Sequence, residues 1–130
     1  MRTSPLIDHF ANPRNVGVIE NPDGYGREGS VDDGDMMELY IRVVDGVVAD
    51  VKYRTFGCAT AIASSSMASE MLKGKTLEAA AAIDEAQIAE ALGGLPPSKM
   101  HCSVMAAAAF RRALEDYRAK QASQAPEAPR

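Results

Sequence analysis

From Met36 to Val44 apolar and polar side chains alternate, with Met37, Leu39, Ile41 and Val43 on one side and Glu38, Tyr40 and Arg42 on the other. Successive side chains of extended backbone point to opposite faces, so this run predicts a half-buried strand. Asp45-Gly46 follows, a dipeptide that tolerates the positive φ angles of a two-residue hairpin turn. Val47 to Phe56 then alternates again, with Asp50, Lys52 and Arg54 on the wet side. After Gly57 the period changes. In CATAIASSSMASEMLKG, Ile62, Ser65, Ser69 and Leu72 recur at helical spacing and a glycine closes the run. Its small side chains predict close packing against a sheet or a second helix.

Thr76 and Asp84 are placed to cap LEAAAAI and EAQIAEAL, and Gly93-Gly94 ends the latter. Leu95-Pro96-Pro97 predicts an extended turn. Ser98 is placed to cap a last helix, along which Met100, Ser103, Ala107, Phe110, Leu114 and Tyr117 share a face. At the other end, Thr3 or Ser4 before Pro5 starts a short helix through Leu6, Ile7 and Phe10 that stops near Asn12-Pro13. The stretch NPRNVGVIENPDGYGREG is rich in Gly, Pro and Asn and predicts a loop with at most one short strand.

Strands grouped ahead of helices predict an α+β fold with helices on one sheet face. A chain of 130 residues has room for one core. That domain is expected over residues 1–120, and the polar, proline-bearing segment 121–130 is expected to be a disordered tail. A net charge of −4 excludes a sequence-independent nucleic-acid binder, which needs a basic face. Scarce aromatics and no Trp exclude a base-stacking platform. No apolar run is long enough to cross a bilayer, and MRTSPLIDHF carries no signal-peptide core. The expectation is a cytoplasmic chain whose two cysteines are reduced.

Those cysteines bring in the chemistry. Cys58 falls between a strand and a helix, and Cys102 in the first turn of the last helix. Both positions feel the positive end of a helix dipole, which favours thiolate. Each is then a metal ligand or reactive thiol, or simply a buried small side chain. His101 precedes Cys102, and neighbours on a helix diverge by about 100°, so the two can share an ion only in the first turn. VDDGDM sets Asp33 and Asp35 two apart, on one side if the backbone is extended. Taken locally, this stretch reads more readily as an Asx turn than as a metal-binding wall. Counting outward from Asp45-Gly46, however, puts position 35 opposite about position 56, which makes the carboxylates neighbours of Cys58.

Four blocks in order carry a resemblance to a known family: DHFANPRNVG (Asp8 to Gly17), GDMMEL (Gly34 to Leu39), TFGCATAIASSSMASE (Thr55 to Glu70) and LPPSKMHCSVMAAAA (Leu95 to Ala109). With these the chain resembles the NifU N-terminal domain, or IscU-type, iron–sulfur cluster assembly scaffolds. The spacing from Cys58 to Cys102 lacks the insertion of the SufU-type branch. The resemblance implies a three-stranded antiparallel sheet with about five helices, the C-terminal ones on one face. It also implies a scaffold rather than an enzyme: one that takes sulfur from a cysteine desulfurase, takes up iron, builds a labile [2Fe–2S] cluster and passes it to recipient apo-proteins, with zinc as an alternative occupant. LPPSK resembles the segment gripped by an Hsp70-type chaperone, with Ser98 where the family has an apolar residue.

The resemblance places the ligand set on Asp33, Cys58 and Cys102, with Asp35 and His101 in reserve and Lys99 assisting. The family has a cysteine where this chain has Asp33. A carboxylate is a harder donor than a thiolate and cannot carry a persulfide. Sulfur must then be accepted by Cys102 or Cys58, and Cys102 is favoured because His101 and Lys99 flank it. The alternative expectation is a diverged paralogue that binds one zinc or iron ion, or docks on the desulfurase, without building clusters.

Overall fold

A computed structural model describes residues 4–30, 32 and 34–124. Helix α1 (Pro5–Ala11) starts where Ser4 accepts a hydrogen bond from the Ile7 N–H and Pro5 takes the first position, and it stops at Asn12. Strands β1 (Gly24–Ser30), β2 (Asp35–Val44) and β3 (Val47–Phe56) form one antiparallel sheet in that order. The chain continues through α2 (Ala59–Leu72), α3 (Leu77–Ala81), α4 (Glu85–Ala91), a 3-10 turn (Pro97–Lys99) and α5 (Met100–Gln124). The fold is the expected α+β arrangement.

The hairpin turns at Asp45 and Gly46, with φ of 52° and 74°. A bulge between Arg42 and Val43 shifts the register, so that Met36 rather than Asp35 pairs with Phe56. Met37, Leu39 and Ile41 are fully buried on the face that the helices cover, each contributing about 1.5–3 kcal/mol of hydrophobic stabilisation. Helix α5 lies along β1 and reaches β2, α2 covers β3 and packs on α5, and α1 packs on α2.

Four expectations change. Tyr40, expected on the wet face, is buried. Residues 15–17 run along the outer side of β3, where Val16 bridges Tyr53. The chain then returns to β1 across the face that carries Tyr40. There Arg42 donates to the carbonyls of Asn21 and Glu20, and Ile19 is buried. Ser98 caps nothing: it lies exposed inside the 3-10 turn that leads into α5. Helix α5 continues past Gln121 to Gln124, and the rest of the expected tail, 125–130, lies outside the described residues. The one strand allowed in the loop-like stretch before VDDGDM, expected to be short, runs for seven residues, Gly24–Ser30.

Its sequence, GYGREGS, holds no apolar alternation because its two buried positions, Gly24 and Gly26, are glycines. A Cβ on Gly26 would stand 2.1 Å from the Ala109 carbonyl oxygen, and one on Gly24 2.3 Å from that of Ala113. Helix α5 presses its backbone directly on β1.

Helix α2 buries Ser64, Ser65, Ser66 and Ser69 completely, which is affordable because most of their hydroxyls are bonded. Ser65 donates to the Ala61 carbonyl and accepts from Thr55. Ser66 accepts from the Arg14 N–H and lies 2.7 Å from His9 Nδ1. Ser69 donates to the Ser66 carbonyl and accepts from Asn15. This network fastens α1 and the following turn to α2.

His9 is the titratable member of the network. Burial, followed by the nearby Arg14 guanidinium, pushes its imidazole below the ordinary value of 6.5, against the smaller opposing effects of Asp8 and Glu70. A base with a depressed folded pKa binds its proton more weakly folded than unfolded. Its stabilising contribution is therefore complete above the ordinary value and is lost as pH falls below it. The urea midpoint should drop between pH 7.5 and pH 5, and His9→Asn should flatten that slope. An unchanged slope in the variant would show that the imidazole is not responsible.

Candidate metal and cluster site

The hairpin, the turn into α2 and the start of α5 meet at one end of the sheet. Asp35 opens β2, and Met36 pairs with Phe56 at the end of β3. Two residues past that pair, Cys58 stands at the N-cap of α2. His101 and Cys102 lie in the first turn of α5, directly after Lys99.

The side chains touch in sequence. Asp35 Oδ2 is 3.5 Å from His101 Nε2, His101 Nε2 is 3.5 Å from Cys102 Sγ, and Cys102 Sγ is 3.9 Å from Cys58 Sγ. Two sulfurs bound tetrahedrally at about 2.3 Å from zinc are about 3.8 Å apart, so the thiol pair already has the spacing that one shared ion requires. His101 and Cys102 do meet at the helix start, as neighbours on a regular helix could only do there. Among the described residues no three His, Cys, Asp or Glu side chains are gathered into a ready cage; the contacts are pairwise.

Asp33, the expected third ligand, lies outside the described residues. Asp32 is exposed. The Lys99 ammonium acts on both thiols, favouring their ionised forms.

The two thiols differ sharply. Cys58 is exposed and Cys102 is fully buried. Burial would raise the Cys58 thiol, but the N–H groups of Ala61 and Thr60 at the start of α2, the Cys102 thiol and the Lys99 ammonium together hold it below its ordinary value. Burial pushes Cys102 up to about 12, helped by the neighbouring Cys58 and Asp35 and opposed by Lys99. The helix-dipole expectation therefore holds for Cys58 and fails for Cys102, whose desolvation outweighs the dipole. At neutral pH the buried thiol is protonated until a cation sits beside it, because a coordinating thiol gives up its proton.

An open pocket of about 280 Å³ adjoins the Asp35–His101 contact, lined also by Glu28, Gly29, Val104, Met105 and Ala108. Val104 stands 46% exposed beside His101. Sequence reading passed over this wall, and the available signal was an apolar Val104 off the buried stripe of α5. It also passed over Gly57, where the Asp35 carboxylate lies in the space that a Cβ would occupy.

Comparison with known proteins adds an independent line. Residues 1–124 match the NifU-like N terminal domain. The iron-sulfur cluster assembly scaffold protein IscU 1 of Archaeoglobus fulgidus is 57% identical over 117 residues, which span 90% of this chain and 76% of that one. The IscU scaffold protein of Haemophilus influenzae is 51% identical over 120 residues, covering 89% and 94%. In structure, a nitrogen-fixing NifU-like protein (N-terminal) from Brucella abortus superposes with a TM-score of 0.68 at 21% identity, over 91% of this chain and 94% of that chain, a likeness of fold.

Proposed function

Because this chain belongs to the NifU-like N-terminal domain family, we propose that it is an iron–sulfur cluster assembly scaffold, a carrier and not an enzyme, whose cargo is held at the Cys58–Cys102 end of the sheet. The observation that carries the site reading is the 3.9 Å separation of two thiols from distant parts of the chain, with His101 and Asp35 in contact beside them. The single-ion paralogue is not favoured, since relatives about half identical over most of this chain are named as assembly scaffolds.

In this reading the cargo is a labile [2Fe–2S] cluster, with Cys58 and Cys102 as its sulfur ligands and Asp33 as an oxygen ligand. Asp35 and His101 complete the shell, or hold zinc when no cluster is present. Asp33→Cys restores a third thiolate. It is expected to slow cluster loss to a chelator roughly tenfold, and an unchanged rate would remove Asp33 from the ligand set.

Sulfur arrives as the outer atom of a persulfide on a cysteine desulfurase. An acceptor thiolate attacks that atom, a new S–S bond forms, and the donor leaves as thiolate. The preference for Cys102 as acceptor now carries a condition. Desolvation disfavours the Cys102 thiolate, the form that attacks sulfur, so Cys102 would act as acceptor with a cation beside it to draw off its proton. In the metal-free chain the reachable thiolate is Cys58. A chaperone of the Hsp70 type would grip Leu95 to Lys99, where Pro96, Pro97 and Ser98 are exposed, and recipient apo-proteins would take the cluster from the exposed Cys58 side.

Anaerobic reconstitution with ferrous iron, cysteine and a desulfurase tests the proposal. Visible cluster absorption with equal iron and acid-labile sulfide is expected. One bound ion with no sulfide would return the reading to the paralogue.

A further inference from the structure

We infer that Gly57 is a positioning residue of this site: the space left by its missing side chain is where the Asp35 carboxylate lies, and this space holds that carboxylate against His101. The inference rests on the reading of this end of the sheet as the metal and cluster site. A Cβ built on Gly57 would stand 2.5 Å from Asp35 Oδ1 and 3.5 Å from its Cγ. Real Cβ contacts do not come that close, so carboxylate and methyl group exclude each other. The other carboxylate oxygen, Oδ2, is the one 3.5 Å from His101 Nε2. The carboxylate is therefore lodged between the backbone of the β3–α2 turn on one side and the first turn of α5 on the other.

Backbone conformation does not account for a glycine here. The glycines with left-handed φ are Gly17, Gly29, Gly34, Gly46, Gly74, Gly93 and Gly94, and Gly57 is not among them. An alanine can adopt this backbone. Its methyl would also meet Ala61 Cβ at 3.0 Å, which a shift of a few tenths of an ångström relieves. The severe clash is with the far end of a side chain that can rotate away. Gly57→Ala should therefore leave the fold in place and turn the Asp35 carboxylate out of its contact with His101. Gly57 acts on the site only through Asp35.

That dependence gives the test. The full-length chain and the variants Gly57→Ala, Asp35→Ala and the double variant are titrated anaerobically with Co(II), read by thiolate-to-cobalt charge transfer and by the visible ligand-field bands, while thermal melting of the metal-free proteins is followed in parallel. Gly57→Ala is expected to weaken Co(II) binding roughly tenfold, the lower end of the effect of losing a group that orients metal ligands. The double variant should bind no more weakly than Asp35→Ala alone. Any loss of melting temperature in Gly57→Ala should be relieved in the double variant, where the clashing carboxylate is gone; this arm remains decisive if the single variant folds poorly. Three outcomes overturn the inference while leaving the site reading intact: Gly57→Ala binding like the parent, a further tenfold loss in the double variant, or a destabilisation that removing the carboxylate does not rescue. A parent chain that shows no thiolate charge transfer with Co(II) overturns the site reading and this inference together.

Discussion

Replacing Cys58 by alanine should abolish stoichiometric cluster assembly while leaving the fold untouched. The side chain is exposed. Its removal should therefore change stability by no more than about 0.5 kcal/mol. Its thiol is nonetheless one of only two that the chain offers. A cluster left with Cys102 and oxygen or imidazole donors loses the thiolate that faces solvent, and iron and sulfide should fall to background after desalting. Cys102→Ala should be equally inactive but should also melt earlier, because that side chain is fully buried in the core and its loss leaves a small cavity, costing about 1 kcal/mol or more. The pair of variants separates ligand loss from packing loss. Retention of iron and sulfide at parental levels in Cys58→Ala would remove that thiol from the site.

Gly26→Ala should cost a large part of the stability of this chain. The new Cβ would stand 2.1 Å from the Ala109 carbonyl oxygen and 2.5 Å from the Ala113 nitrogen. These are backbone atoms of α5, held by the helix itself, so relief requires lifting the helix from β1. Overpacking of this kind costs about 3 kcal/mol, which in a domain of this size lowers the melting temperature by roughly 10 °C. Because Cys102 and His101 ride on the first turn of the same helix, displacing α5 should also weaken metal binding. Arg27→Ala, one residue away on the exposed side of the strand, is the control and should stay within about 0.5 kcal/mol of the parent. Equal melting of Gly26→Ala and the parent would mean that α5 does not rest on the strand backbone.

That contact also explains where the sequence could be read and where it could not. The β2–β3 hairpin announces itself through alternation and Asp45-Gly46. Counting from that turn is enough to bring Asp35 and Cys58 together, with an error of one position from the bulge at Arg42/Val43. Strand β1 is silent because hydrophobic patterning registers apolar side chains, and at Gly24 and Gly26 the buried element is the bare backbone under α5. Tyr40 follows alternation faithfully, but its face is covered by a returning loop, which period alone does not encode.

At the site, counting from the turn was enough to bring Asp35 beside Cys58, whereas His101 and Cys102 joined them only through the resemblance. The contrast between the exposed and the buried thiol was not legible, because it depends on which neighbours exclude water. Nor was Gly57, whose role is a gap filled by a side chain from another strand. A family cysteine at the position of Asp33 is implied only by the resemblance, since VDDGDM alone reads as a turn.

The most direct test of the central claim is transfer. The chain is loaded anaerobically with labelled iron and sulfide, freed of excess reagent, and mixed with an apo-ferredoxin in the presence of a chelator that captures free iron. The account predicts that both labels leave the chain together and appear in the ferredoxin in equal amounts as its cluster spectrum develops. Iron going to the chelator while the ferredoxin stays colourless would contradict it.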